Sequence, residues 1–204
     1  MRQAIIFLFC LVISTYGKPN ILLIGSATET YITSVVDVLS NTNRFQAVDY
    51  VDGYITNPPS LDNCLQYDAI LVWTDYPFLD PVGYGILLTS YIESGRGVVS
   101  MVAENSNGYE PLGGDWYKYK IFLDSWLNFK RNPTYTINDP SHPLANGVTT
   151  DTFKGSSNSL YSSVNAGQLA EGSKVVATYA DGNIFVAYKD NFGPNKAKKV
   201  DLCK

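Results

Sequence analysis

The sequence predicts an α/β protein of flavodoxin-like, three-layer architecture: a mainly parallel sheet with helices on both faces and an antiparallel extension at its C-terminal side. Three observations predict it. Asn20-Ile21-Leu22-Leu23-Ile24 and Ala69-Ile70-Leu71-Val72-Trp73 are apolar runs without polar alternation, as expected of strands buried on both faces. Helical patterns separate these runs from one another and from Gly97-Val98-Val99-Ser100-Met101-Val102, which is the arrangement of βαβ units. After Pro133 the strand-like segments are short and separated by turns rather than helices, and such segments pair antiparallel.

The elements follow in order. The first strand ends in Gly25-Ser26-Ala27-Thr28, and Ile32, Val35, Val36, Val38 and Leu39 then fall at near-helical spacing behind the capping candidates Thr28 and Thr30. Gln46 to Val51 reads as a second strand, Asn57-Pro58-Pro59-Ser60 as a turn, and Leu61 to Leu65 as a short helix. The strand at Ala69 to Trp73 ends in Thr74-Asp75-Tyr76-Pro77. Asp80-Pro81 supplies an N-cap followed by proline at the first helical position. That helix runs through Ile86, Leu87, Leu88, Tyr91 and Ile92 and stops at Gly95. Gly108 to Gly114 reads as loop, and the aromatic stretch Trp116 to Phe129 as helical. Strands are expected at Thr134 to Ile137, Val175 to Tyr179 and Ile184 to Tyr188, with Asp181-Gly182 as the hairpin turn between the last two.

Met1 to Gly17 has the form of a secretory signal peptide: Arg2, then an apolar run from Ala4 to Ile13, then Thr15 and Gly17 at the −3 and −1 positions of a cut before Lys18. The run is too short for a bilayer span, which needs about 20 residues. The expected organisation is a leader over residues 1–17 and a single domain over 18–204, exported and without a transmembrane helix. Hydrophobic residues make up 45% of the 204-residue chain, enough for one buried core, so intrinsic disorder is excluded. With 17% charged residues, a formal net charge of −4 and no basic cluster, nucleic acid and anionic membrane are poor partners.

Cys10 would leave with the leader. Cys64 and Cys203 then either pair, as two cysteines in an oxidising compartment can, or leave Cys203 on a frayed tail. Neither has zinc-ligand spacing, so no metal is expected. There is no Asn-x-Ser/Thr sequon, because Asn132 is followed by Pro133.

Several segments together resemble the class I glutamine amidotransferase-like superfamily, nearest to its trehalose-utilisation (ThuA-like) branch. They are Ile21-Leu22-Leu23-Ile24-Gly25, Tyr67-Asp68-Ala69-Ile70-Leu71-Val72, and Tyr91-Ile92-Glu93-Ser94-Gly95-Arg96-Gly97-Val98-Val99. His142-Pro143-Leu144-Ala145-Asn146-Gly147-Val148 and Ala177-Thr178-Tyr179-Ala180-Asp181-Gly182 continue the match. The resemblance covers most of residues 20 to 190. The superfamily's catalytic branches carry a nucleophilic cysteine after the strand that corresponds to Gly97 to Val102, whereas the sequence here is Val102-Ala103-Glu104-Asn105 and the ThuA-like branch brings no assigned triad with it. The resemblance also implies a further strand after a segment like Gly193 to Val200. The chain stops at Asp201-Leu202-Cys203-Lys204, so that strand is expected to be missing or altered, leaving an exposed sheet edge.

In open α/β sheets, ligands bind beyond the carboxyl ends of the strands where strand order reverses. The loops Gly25 to Glu29, Thr74 to Pro77 and Glu104 to Asn107 should meet there. Ser26, Thr28, Asp75, Tyr76, Glu104 and Asn105 are therefore the candidate ligand-binding residues, an inventory of hydroxyls, amide, carboxylates and an aromatic suited to a sugar or polyol. The leading reading is a non-catalytic module that binds carbohydrate or a protein partner. One alternative is a ThuA-like carbohydrate-active enzyme with Asp75 and Glu104 as acid and base. The other is a degenerate or truncated family member with no site of its own. Gly25-Ser26-Ala27 is not GxGxxG, Glu29 would repel a phosphate at the first helix, and no cofactor is expected. His142, the one histidine, reads as structural in a turn-rich segment. Trp116, Tyr117, Tyr119, Phe122 and Trp126 read as a face packed on the sheet, with a sugar-stacking surface as the competing reading.

Overall fold

The structure is a computed structural model of the chain and describes residues 17–101, 112–123, 130–131, 134–145, 160–161 and 168–202. Ten strands and three α-helices are present among them. β1 (Asn20–Ser26), α1 (Glu29–Ser40), β2 (Ala47–Asp52), α2 (Leu61–Cys64), β3 (Ala69–Thr74), α3 (Pro81–Glu93) and β4 (Gly97–Met101) come first. A 3-10 helix, Gly114–Tyr119, follows. Then come β5 (Lys130–Arg131), β6 (Tyr135–Ile137), β7 (Leu160–Tyr161), β8 (Lys174–Tyr179), β9 (Ile184–Phe192) and β10 (Ala197–Leu202).

Eight strands form one sheet in the order β2-β1-β3-β4-β10-β9-β8-β6, while β5 and β7 pair separately. The pairings from β2 through β10 are parallel, and those from β10 through β6 are antiparallel. This is the expected mixed α/β architecture. From β1 the chain steps one way to β2, then crosses back over β1 to β3 and on to β4. Right-handed crossovers therefore put α1 on one face of the sheet and α2 and α3 on the other. In keeping with this, α2 packs on α3.

The apolar runs become the buried centre. Every residue of β3 is buried, as are all of β1 after Asn20. Burying each such leucine or isoleucine is worth about 1.5–3 kcal/mol. α3 begins as its sequence requires: Asp80 accepts the Gly83 N–H at 2.8 Å and Pro81 occupies the first turn. It ends at Gly95, whose φ of 90° suits glycine. The Asp181-Gly182 hairpin also forms, with Gly182 at φ 82° and the Asp181 carboxylate accepting the Asn183 N–H.

Two expectations are corrected. The last described strand leaves no exposed edge. Residues 197–202 form β10 in the interior of the sheet, parallel to β4 and antiparallel to β9, because Ala197, Lys199, Val200, Asp201 and Leu202 find partners on both faces and are buried. Among the described residues, the stretch from Trp116 is helical only to Tyr119, and then as 3-10. Beyond it the amides of Ile121 and Phe122 turn to the Asp201 carboxylate instead of a preceding carbonyl, and Phe122 bridges to Leu169. Trp126 lies outside the described residues.

Candidate functional site

The topology defines where a site belongs. Strand order reverses between β1 and β3, and the backbone closes the gap there: the Ser26 carbonyl accepts the N–H groups of Asp75 at 2.6 Å and Tyr76 at 2.9 Å. The loop after β2 is tied to the same place, with Gly53 N–H donating to the Gly25 carbonyl and Leu79 N–H donating to the Gly53 carbonyl, both at 2.8 Å. Under these loops Phe78 stacks on Tyr84 at 4.7 Å between ring centres. Burial raises the Tyr84 phenol above its ordinary pKa, and Asp52 and Asp80 push the same way against the Thr56 hydrogen bond. The three loops thus form a braced platform rather than independent tips.

On this platform Tyr54, after β2, and Tyr76, after β3, meet across the end of β1. Their ring centres are 5.4 Å apart at an interplanar angle of 44°. They stay exposed, at 49% and 41%. Tyr31, in the first turn of α1 at the carboxyl end of β1, is exposed as well. The Asp52 carboxylate accepts the Tyr54 N–H at 3.0 Å and so orients that loop.

Of the six residues expected to bind ligand, Asp75 and Tyr76 are on this face. Ser26 is beneath it: fully buried, its hydroxyl donates to the Pro77 carbonyl at 2.7 Å and holds the β3 loop in place. Thr28 is exposed at the N-cap of α1 in extended conformation, but its side chain makes no capping bond. Glu104 and Asn105 lie outside the described residues, so the acid pair of the enzymatic alternative has one described member. Tyr54 and Tyr31 escaped the sequence reading. The available signal was a tyrosine shortly after the carboxyl end of each of three consecutive strands.

A second polar cluster, also missed, lies inside the protein on the α3 side of the sheet. Lys199 is 0% exposed and Asp201 5%. One Asp201 carboxylate oxygen pairs with the Lys199 ammonium and accepts the Ser100 hydroxyl at 2.5 Å. The other accepts Ile121 N–H at 2.9 Å and Phe122 N–H at 3.4 Å. Lys199 also lies 4.9 Å from the centre of the Trp116 ring, a cation–π contact. A serine beside a lysine is in outline a nucleophile with its base. Here the carboxylate holds both and Ser100 is buried, so the cluster fastens β10, β4 and the segment after the 3-10 helix to one another.

Trp116 and Tyr119 are buried against this side and Tyr117 is exposed, so the packed reading holds for Trp116 and Tyr119. Burial and a hydrogen bond to Glu93 push the Tyr119 phenol up to about 12. The His142 Nδ1 accepts the Leu144 N–H at 3.2 Å, and its ring lies 4.2 Å from that of Tyr188. Cys64 is a buried free thiol pushed up to about 11 by burial. It precedes β3 at the amino end of the sheet, whereas Leu202 is at the carboxyl end; Cys203 itself lies outside the described residues. No group of three acidic, histidine or cysteine residues able to hold a metal occurs among the described residues. Among them, too, no helix is long and apolar enough to cross a membrane.

No family model matches the chain, and no curated protein matches it. Among solved structures it is similar to a protein of Bacteroides uniformis ATCC 8492 described as ThuA-like, with a TM-score of 0.60 over 93% of this chain and 84% of that one. The chain has a ThuA-like fold. At 11% identity the likeness carries the architecture and no residue roles. On this ThuA-like fold the tyrosine face occupies the carboxyl ends of β1, β2 and β3, where such sheets place their ligands.

Proposed function

We propose that the protein is a secreted, non-catalytic module that binds carbohydrate on the face formed by Tyr54, Tyr76 and Asp75. The observation that carries this reading is the exposed Tyr54–Tyr76 pair on a hydrogen-bonded platform. Flat sugar faces present C–H groups that pack on aromatic rings, while the phenols and the carboxylate supply hydrogen-bond partners for hydroxyls. Rings held in place before binding avoid the entropy cost of ordering them. Secretion rests on the leader-like pattern of residues 1–17.

The test is calorimetric titration of the purified protein with neutral and charged oligosaccharides. Tyr54→Ala and Tyr76→Ala should each lower affinity at least tenfold while leaving the melting temperature within a few degrees, because both rings are exposed. If no oligosaccharide binds, or if binding survives both substitutions together, the reading is wrong.

A further inference from the structure

We propose that the ligand of the tyrosine face carries positive charge and is an amine-bearing sugar, such as an oligomer of de-N-acetylated hexosamine; this rests on the carbohydrate reading above. The loops that build the face, residues 26–31, 52–60 and 74–83, contain Glu29, Asp52, Asp75 and Asp80 and no lysine, arginine or histidine. The bases of this half of the protein sit at the other end of the sheet. Lys18 precedes β1, Arg44 precedes β2 and Arg96 precedes β4, where Arg96 bonds the Leu65 carbonyl at 3.2 Å and pairs with Asp68. Charge is therefore polarised along the strands, with the ligand-facing end acidic.

Asp52 and Asp80 each accept a backbone N–H, from Tyr54 and Gly83, which orients the two carboxylates. Glu29 is exposed in the first turn of α1. Among the described residues, no three of these carboxylates are grouped so as to hold a metal ion. A diffuse negative field around electron-rich ring faces suits an organic ammonium group, which is attracted by the field and by the tyrosine quadrupole together. It disfavours uronates and sugar phosphates, for which these loops offer no cationic side chain. Neutral sugars would gain the stacking alone.

The test compares three oligomers of equal length by calorimetry at about pH 6, at low and physiological salt, where screening differs strongly: a glucosamine oligomer, its N-acetylated form, and a galacturonate oligomer. The glucosamine oligomer should bind at least tenfold more tightly than the N-acetylated one, with a preference that shrinks as salt rises. Glu29→Gln, on the surface, and Asp75→Asn should each reduce that preference, while Tyr76→Ala should weaken both sugars, the amine form at least as much as the amide. Equal affinity for the amine and the amide, or tighter binding of the uronate, overturns the charge proposal and leaves the carbohydrate reading standing. Failure of all three to bind overturns both.

Discussion

Replacing Asp201 by asparagine should cost about 3–5 kcal/mol, because it removes the charge that compensates a buried ammonium. Lys199 is fully buried, and its nitrogen is within reach of Asp201 and Ser100. Lys199→Met should cost less, since the carboxylate left behind keeps three donors: the Ser100 hydroxyl and the amides of Ile121 and Phe122. The double variant, with both charges gone, should be more stable than Asp201→Asn alone by about 1–3 kcal/mol, the sign expected when an unpaired buried charge dominates the loss. Against a total stability of about 5–15 kcal/mol for a domain, the single change removes about a fifth or more. Urea unfolding followed by tryptophan fluorescence reads it directly, and Trp116 packs on Lys199 itself. A loss below about 1 kcal/mol for Asp201→Asn, the range of exposed ion pairs, would refute the reasoning. So would costs that simply add in the double variant.

Three further outcomes are expected. Gly85→Ala should destabilise by about 1–3 kcal/mol despite alanine's better helix propensity, because an added Cβ would overlap the Gly113 carbonyl; thermal unfolding measures it, and a gain in stability would show the approach to be looser. His142 has its pKa lowered below 6.5, first by burial, against a smaller opposing pull from Asp139. The unfolded chain thus binds the proton more readily. His142 contributes stability above about pH 6.5 that is lost as pH falls through its folded pKa, and His142→Asn should flatten that part of the profile; the imidazole resonance, the one in the chain, titrating above 6.5 would contradict this. Cys64, buried and raised to about 11, should resist a thiol reagent in the native protein and react once urea is added, as mass spectrometry of the Cys64 peptide would show.

The functional argument turns on bracing as much as on the tyrosines. Ser26 spends its hydroxyl on Pro77 and its carbonyl on Asp75 and Tyr76, so the end of β1 sets the position of the β3 loop. Gly53 accepts Leu79 and donates to Gly25, so the β2 loop follows. A ligand that stacks on Tyr54 and Tyr76 meets rings whose backbone is already held.

Local chemistry wrote much of this protein directly into its sequence. Unbroken apolar runs specify β1 and β3 because a strand covered on both faces has no polar side to show. Asp80-Pro81 and Gly95 bound α3 because each supplies the backbone geometry or hydrogen bond that a helix end lacks. Asp181-Gly182 turns the β8–β9 hairpin for the same kind of reason. What only the tertiary structure decided depends on which distant segments become neighbours. Lys199 and Asp201, two positions apart near the end of the chain, read as solvated charges until β10 slides between β4 and β9 and buries them against Ser100 and Trp116. Tyr54 is an ordinary loop residue in sequence and Tyr76 a candidate without a partner, and they form a surface because β1 is seated between β2 and β3 and brings the two loops together over its end. Turn and strand propensities act over a few residues; strand order is settled by long-range burial, and the site is made by strand order.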